Sequence, residues 1–234
     1  MRLSLIDGSI RRALLILVFA SVLPALGIIL YSGVENRLQD LEGARVSALR
    51  LANSMADIQD RTTQNIRLLL SALSRAPQVK NPASREAAEL LAGVRGADPV
   101  LSIFFLAGTD GRVLAASLPF EPATVQDRPY FKEAMETGRF TVGEYQIGRI
   151  VNVPVLPFAQ PLEDASGRPL AVLGAAIALD AYGELFGKAD LPKNSVIPLA
   201  DRNGVRICRF PLDPAARAGQ PLPPELWETV SRAE

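Results

Sequence analysis

Arg128-Pro129-Tyr130-Phe131 places one guanidinium and two aromatic rings within four residues. A guanidinium fork grips a carboxylate through two parallel hydrogen bonds, and aromatic rings supply apolar walls and, in tyrosine, a phenol donor. The same residues have a structural use: Arg128 can pair with Asp127 or Asp180 to fix a loop, and Tyr130 and Phe131 can fill a core. Other chemistry is sparse. There is no histidine, which removes Ser-His-Asp and Cys-His catalysis, imidazole metal ligands and a histidine phosphoacceptor from these residues. The single cysteine, Cys208, can form neither an intrachain disulfide nor a structural zinc site; a small buried hydrophobe is its simplest reading. Gly183-Glu184-Leu185-Phe186-Gly187-Lys188-Ala189 has three residues between its glycines where a phosphate loop has four, and Ala where that loop needs a hydroxyl. Glu133 and Glu136 lie on one helix face that solvation explains, and Asp110 and Asp164 carry turn chemistry. No catalytic residue, metal ligand or cofactor is assigned.

The elements that position these residues follow from hydropathy and proline placement. A length of 234 residues accommodates one or two domains. Lys plus Arg (25) equals Asp plus Glu (25), which argues against a nucleic-acid partner, since phosphates call for a basic surplus. Residues 13–34 run for 22 positions without a charge, Asn or Gln. At ~1.5 Å per residue they make about 33 Å of helix, against a hydrocarbon core of roughly 30 Å. Arg2, Arg11 and Arg12 precede this stretch and Glu35 follows it, so residues 1–12 are expected in the cytoplasm and the rest outside. A cleaved signal peptide, with a shorter apolar stretch, is the alternative. No proline occurs from Ala25 to Ala76, which predicts a long helix over 35–76. Leu38, Leu41, Ala48, Ala52, Met55, Ile66, Leu69 and Leu73 give it an apolar stripe, interrupted at Arg45, Gln59 and Thr62. Such a stripe suits packing on a domain or on a like helix.

Beyond Pro77 a short helix is expected over 86–94, capped by Ser84. Strands are expected over 101–106 and 113–116, with Asp110-Gly111 between them as a type I′ hairpin former. A proline-rich loop over 118–128 leads to a helix over 129–137, and three more strands follow over 140–147, 151–161 and 170–179. Strand alternation sets Tyr145 on one face with Gly143 and Ile147 and makes it a pocket candidate. The fold class is α+β, a PAS-like antiparallel sheet with flanking helices. Residues 102–111 and 195–204 align at an offset of 93, with Ser, Leu, Ala and Gly identical. A second domain of the same kind is read from about residue 191. Only 44 residues remain for it, so the sequence is expected to be part of a longer protein.

Asp127-Arg128-Pro129-Tyr130-Phe131-Lys132-Glu133-Ala134 with Gly138, the stretch Gly143-Glu144-Tyr145-Gln146-Ile147-Gly148-Arg149, Pro161 and Ala178-Leu179-Asp180 resemble the double Cache (dCache) sensor domains of bacterial membrane receptors. Leu199-Ala200-Asp201-Arg202-Asn203-Gly204, Arg209, Pro211 and Gly219-Gln220-Pro221-Leu222 resemble the start of the membrane-proximal Cache module. The resemblance spans 34–234 and is strongest to domains on sensor histidine kinases. It implies a cytoplasmic N-terminus (1–12), a transmembrane helix (13–34), a long signalling helix (35–76), a membrane-distal Cache domain (77–190) and an incomplete membrane-proximal one (191–234). It also implies a place in the bacterial inner membrane with the bulk extracytoplasmic, and a homodimer through the long helix. By the same resemblance Arg128 holds a ligand carboxylate, Tyr130 and Phe131 are the aromatic pair beside it, and Asp180 holds an ammonium. Gly148 stands where amino-acid binders carry a second acid, which leaves a small carboxylate beside an amino acid as the implied ligand. The implied output is a histidine kinase beyond residue 234. A diguanylate cyclase, a chemoreceptor or an anchored binding protein without output are the alternatives.

Overall fold

The computed structural model describes residues 17–19, 22, 43, 45–97, 101–164, 167–180, 196–211, 213 and 216–231, in two units, Met1–Ser54 and Met55–Glu234. In the first unit the described residues are helical. No helix among the described residues is long and apolar enough to cross a membrane. The expected span over 13–34 lies outside them, apart from 17–19 and 22, as do residues 35–42 and 44 of the expected long helix.

The second unit opens on helix α1, residues 55–73, with Met55, Ile66, Leu70 and Leu73 buried. The 4-and-3 spacing from Ile66 to Leu73 is one helix stripe. Leu70 carries it where Leu69 was expected to, and Leu69 is half-buried. Pro77 cannot extend the helix, and a 3₁₀ turn, Pro77–Lys80, buries Val79 below it. Helix α2, Arg85–Ala97, starts where Ser84 Oγ accepts the Ala87 N–H at 3.1 Å, the expected N-cap. It lays buried Ala87 and Leu91 on the sheet.

That sheet is antiparallel throughout, an α+β arrangement as expected from the pattern. Its strands are β1 (Leu101–Gly108), β2 (Val113–Ala116), β3 (Thr141–Val142), β4 (Gln146–Ile147), β5 (Pro154–Glu163) and β6 (Pro169–Ala178). The order is β2-β1-β6-β5-β3, with β4 also on β5. β1 and β6 are central and covered on both faces, which is why their sequences are apolar without alternation. Where one strand was expected over 140–147 there are two short ones. Gly143 sits between them against Pro157 and Tyr130, where a Cβ would collide with the Pro157 ring. The β1–β2 turn is a correction as well. Gly111 is left-handed at φ 77° but Asp110 is not, so the turn is not type I′, which needs both. Helix α3, Pro129–Thr137, covers one face through Tyr130, Phe131 and Ala134.

The second hairpin, β7 (Ile197–Ala200) and β8 (Arg206–Phe210), is followed by helix α4, Pro224–Ser231. Gly204 closes its turn at φ 73° with the Trp227 ring against its α-carbon. Cys208 lies buried on β8, and burial pushes its thiol up to about 12. A folded-state value above the unfolded one stabilises fully below pH ~9, and that contribution is lost as pH rises toward 12. We therefore expect a disulfide-exchange reagent at pH 8 to leave the native thiol untouched and to label it on urea unfolding. Wild-type stability should also fall more steeply above pH 9 than that of Cys208→Ala. Rapid native labelling would contradict the burial.

Candidate functional site

On the face of the sheet under α3, strand alternation brings Ile103 and Phe105 of β1, Val155 and Pro157 of β5 and Ala176 of β6 to the floor of one cavity. Arg128 and Tyr130, at the start of α3, form one wall. Val125 comes from the loop before α3, and Gln146, Gly148, Arg149, Ile150 and Val151 come from β4 and the turn after it. Pro129 at the first helical position fixes where α3 begins, and left-handed Gly138 ends it with its N–H donated to Ala134 O at 3.0 Å. Arg128 is thus the N-cap residue, extended rather than helical, and its side chain reaches across to β4. Its Nη2 donates to Ile147 O at 3.0 Å.

Tyr130 is 3% exposed and shares a hydrogen bond with the Gln146 side chain. Burial pushes its phenol up to about 12, against the opposing pull of that bond and of the Arg128 and Arg149 guanidiniums. It is therefore a neutral donor over the whole physiological range. Arg149 straps two loops together, with Nη1 donating to Thr124 O at 2.6 Å and Nη2 to Asp127 Oδ2 at 2.7 Å. The carboxylate of Asp127 therefore belongs to Arg149 rather than to Arg128. Asn152, at φ 50°, closes the turn beneath the strap, with its N–H on Gly148 O at 2.8 Å. With the strap closed, the cavity holds about 20 Å³, the room of one water. Among the described residues its charged lining groups are two guanidiniums, of which Arg149 is paired with Asp127, and no carboxylate lines it. Such a wall suits an anion, and an α-ammonium would find no counter-charge there.

The five residues singled out by sequence do not all meet. Arg128 and Tyr130 line the cavity together. Phe131 is buried in the adjoining core beneath α3 without lining it. Tyr145 lines an adjoining recess of about 320 Å³ that Arg128, Tyr130 and Gln146 also line, with Glu133, Glu144 and Arg202 beside them, and its ring abuts Gly219. Asp180 is exposed, two residues past the end of β6 and at the same sheet end as Val155 and Ala176. It does not line the cavity. Sequence reasoning missed Gln146, Arg149 and the lining residues Ile150 and Val151. Arg149, a cation next to Gly148 in a turn facing the Arg128 loop, was the one available signal.

No family model matches the chain, and no curated protein matches it. Solved structures do. The extracellular domain of the candidate histidine kinase rpHK1S-Z16 superposes at a TM-score of 0.63 with 20% identity, over 74% of this chain and 72% of that one. The sensor domain of the Vibrio cholerae histidine kinase DctB gives 0.61 with 15% identity, over 80% and 74%. The sensory domain of the Campylobacter jejuni chemoreceptor Tlp3, with isoleucine bound, gives 0.59 with 15% identity, over 77% and 76%. At such identities the likeness is one of fold. The six-stranded antiparallel sheet, its flanking helices and the second hairpin give this chain the fold of the Cache sensor domains, as residues 127–134 and 143–149 had suggested.

Proposed function

We propose that the chain is the extracytoplasmic sensing region of a membrane receptor and that the cavity at the start of α3 takes a small carboxylate. The observation that supports this reading is the convergence of Arg128, Arg149, Tyr130 and Gln146 on one cavity with no carboxylate among its described lining residues. Arg128 grips the carboxylate, Tyr130 donates to it, Phe131 seats the helix that carries both, and the apolar floor excludes water. An amino acid remains the second ligand class, because Asp180 lies at the same end of the sheet and could meet an ammonium there. Tlp3 was solved with isoleucine. A cavity of about 20 Å³ admits either ligand only after the Arg149 strap releases the 148–153 turn. Ligand then favours one arrangement of the strap by its differential affinity. Residues 13–34 would anchor the chain in the bacterial inner membrane, and the helix that follows would pair with that of a second copy and carry the change inward. Domains over 77–190 and 191–234 and a histidine kinase beyond residue 234 complete the proposal.

Isothermal titration of the full chain with acetate, succinate, serine and isoleucine tests it. Loss of a charge-assisted bond at Arg128→Ala should weaken the selected acid about 10-fold to 100-fold. Equal binding by variant and wild type would reject the clamp. Reading the gene past residue 234 separates the receptor from an anchored binding protein. A second apolar span with a cytoplasmic domain supports the receptor.

A further inference from the structure

Three consecutive residues of the β7–β8 turn hold the segment that leads into β4. Asp201 Oδ2 accepts the Tyr145 N–H at 3.2 Å. Arg202 Nε pairs with Glu144 at 3.1 Å, and its Nη2 donates to Val142 O at 3.3 Å. Asn203 Nδ2 donates to Glu144 Oε2 at 2.6 Å. The other carboxylate oxygen of Asp201 accepts the N–H groups of Asn203 and Val205, both at 2.9 Å, so the turn is shaped by its own residues before it docks. Across the contact the Tyr145 ring lies on Gly219, at a place where any side chain would overlap it.

What this grip holds is a strand with little hold of its own. β4 is two residues long and pairs with β5 at Gln146↔Val155 and Ile147↔Pro154, and Pro154 has no N–H to give. Those two residues are the ones the cavity uses: Gln146 meets the Tyr130 hydroxyl, and the Ile147 carbonyl accepts from Arg128. The 320 Å³ recess beside Glu144 and Arg202 leaves β4 room to shift.

We propose that residues 201–203 are positioning residues for the carboxylate cavity, a clamp from the second hairpin that sets where β4 presents Gln146 and the Ile147 carbonyl. The inference rests on the cavity being the ligand site. By linkage, whatever affinity the docked turn adds to the cavity, ligand returns as tighter docking of the turn. The Arg202–Glu144 pair is partly exposed, and such a pair is weak alone. The effect is therefore sought by removing the grip jointly.

In the full chain, hydrogen exchange over 143–149 should quicken about tenfold in the R202A/N203A double variant. Arg202→Lys should restore part of the protection. Arg209→Ala, which breaks an ion pair with Asp213 elsewhere on the same hairpin, should change nothing. Titration with acetate and succinate should show about fivefold weaker binding by the double variant, by the same weights. Unchanged exchange over 143–149 overturns the clamp, and so does faster exchange with unaltered affinity, which would make the contact merely structural. If neither acid binds even the wild type while exchange quickens, the carboxylate reading fails, the positioning role falls with it, and the docked turn is left as a hold on β4 alone. Should the double variant not fold, Asn203→Ala alone is judged by the same readouts.

Discussion

Phe158→Ala is expected to remove about 3–5 kcal/mol of stability, the cost of emptying an aromatic site that cannot collapse. Phe158 is fully buried in the middle of β5, between Val142 of β3 and Ala175 of β6 in the sheet register. Its ring stacks on Phe140 with centroids 6.2 Å apart and planes 18° from parallel, and the Arg67 guanidinium of α1 covers Phe140 at 6.0 Å. The partner on β6 is an alanine, too short to swing into the space, and its neighbours Leu173 and Ile177 are themselves fully buried. The half-buried Phe140 ring is the neighbour that could relax toward the void, and that would cost the Arg67 contact. Urea unfolding followed by circular dichroism would measure the loss, and the melting temperature should fall by roughly 10 °C. Phe158→Leu, which keeps most of the volume, should lose less than half as much. A loss below about 1 kcal/mol for the alanine variant would mean that the surroundings of the ring collapse into its place.

The parts of this architecture that the sequence exposes are those governed by local chemistry. The Ser84 cap, the apolar runs of β1 and β6 and the turn glycines Gly111 and Gly204 each follow from propensities acting over a few residues. The split between β3 and β4 does not, because Gly143 interrupts the strand through contacts with Pro157 and Tyr130, remote in sequence. That interruption also explains where Tyr145 lies. Parity counted along one continuous strand from 140 to 147 joins Tyr145 to Gly143 and Ile147, but pairing with β5 restarts at Gln146. Gln146 then faces the cavity, and Tyr145 turns to Gly219. Arg128 and Tyr130 meet because a helix start brings them together. Phe131, one residue on, points about 100° further round the helix and into the core. Arg149 owes its role to a loop 22 residues earlier in the chain, which no local pattern encodes.

The floor of the cavity supplies the second large effect. Gly174 of β6 pairs with Phe105 of β1, and a Cβ built on Gly174 would overlap the Phe105 ring. In a strand interior glycine ordinarily costs stability relative to alanine, by roughly 0.5–1 kcal/mol. Simple propensity therefore makes Gly174→Ala stabilising. The geometry reverses the sign: the ring must leave its place, and overpacking of this kind costs about 1–3 kcal/mol. The cavity that Phe105 already lines offers the displaced ring space, so the same variant should lose carboxylate binding along with stability. Shortening the ring separates the two causes. In a Phe105→Leu background the Gly174→Ala step should become nearly neutral, with a coupling of at least about 1 kcal/mol in the double-mutant cycle. Equal penalties in both backgrounds would show that Gly174 serves the backbone alone. A coupling of the expected sign would show that the absence of one side chain on β6 holds open the space in which Arg128 and Tyr130 meet.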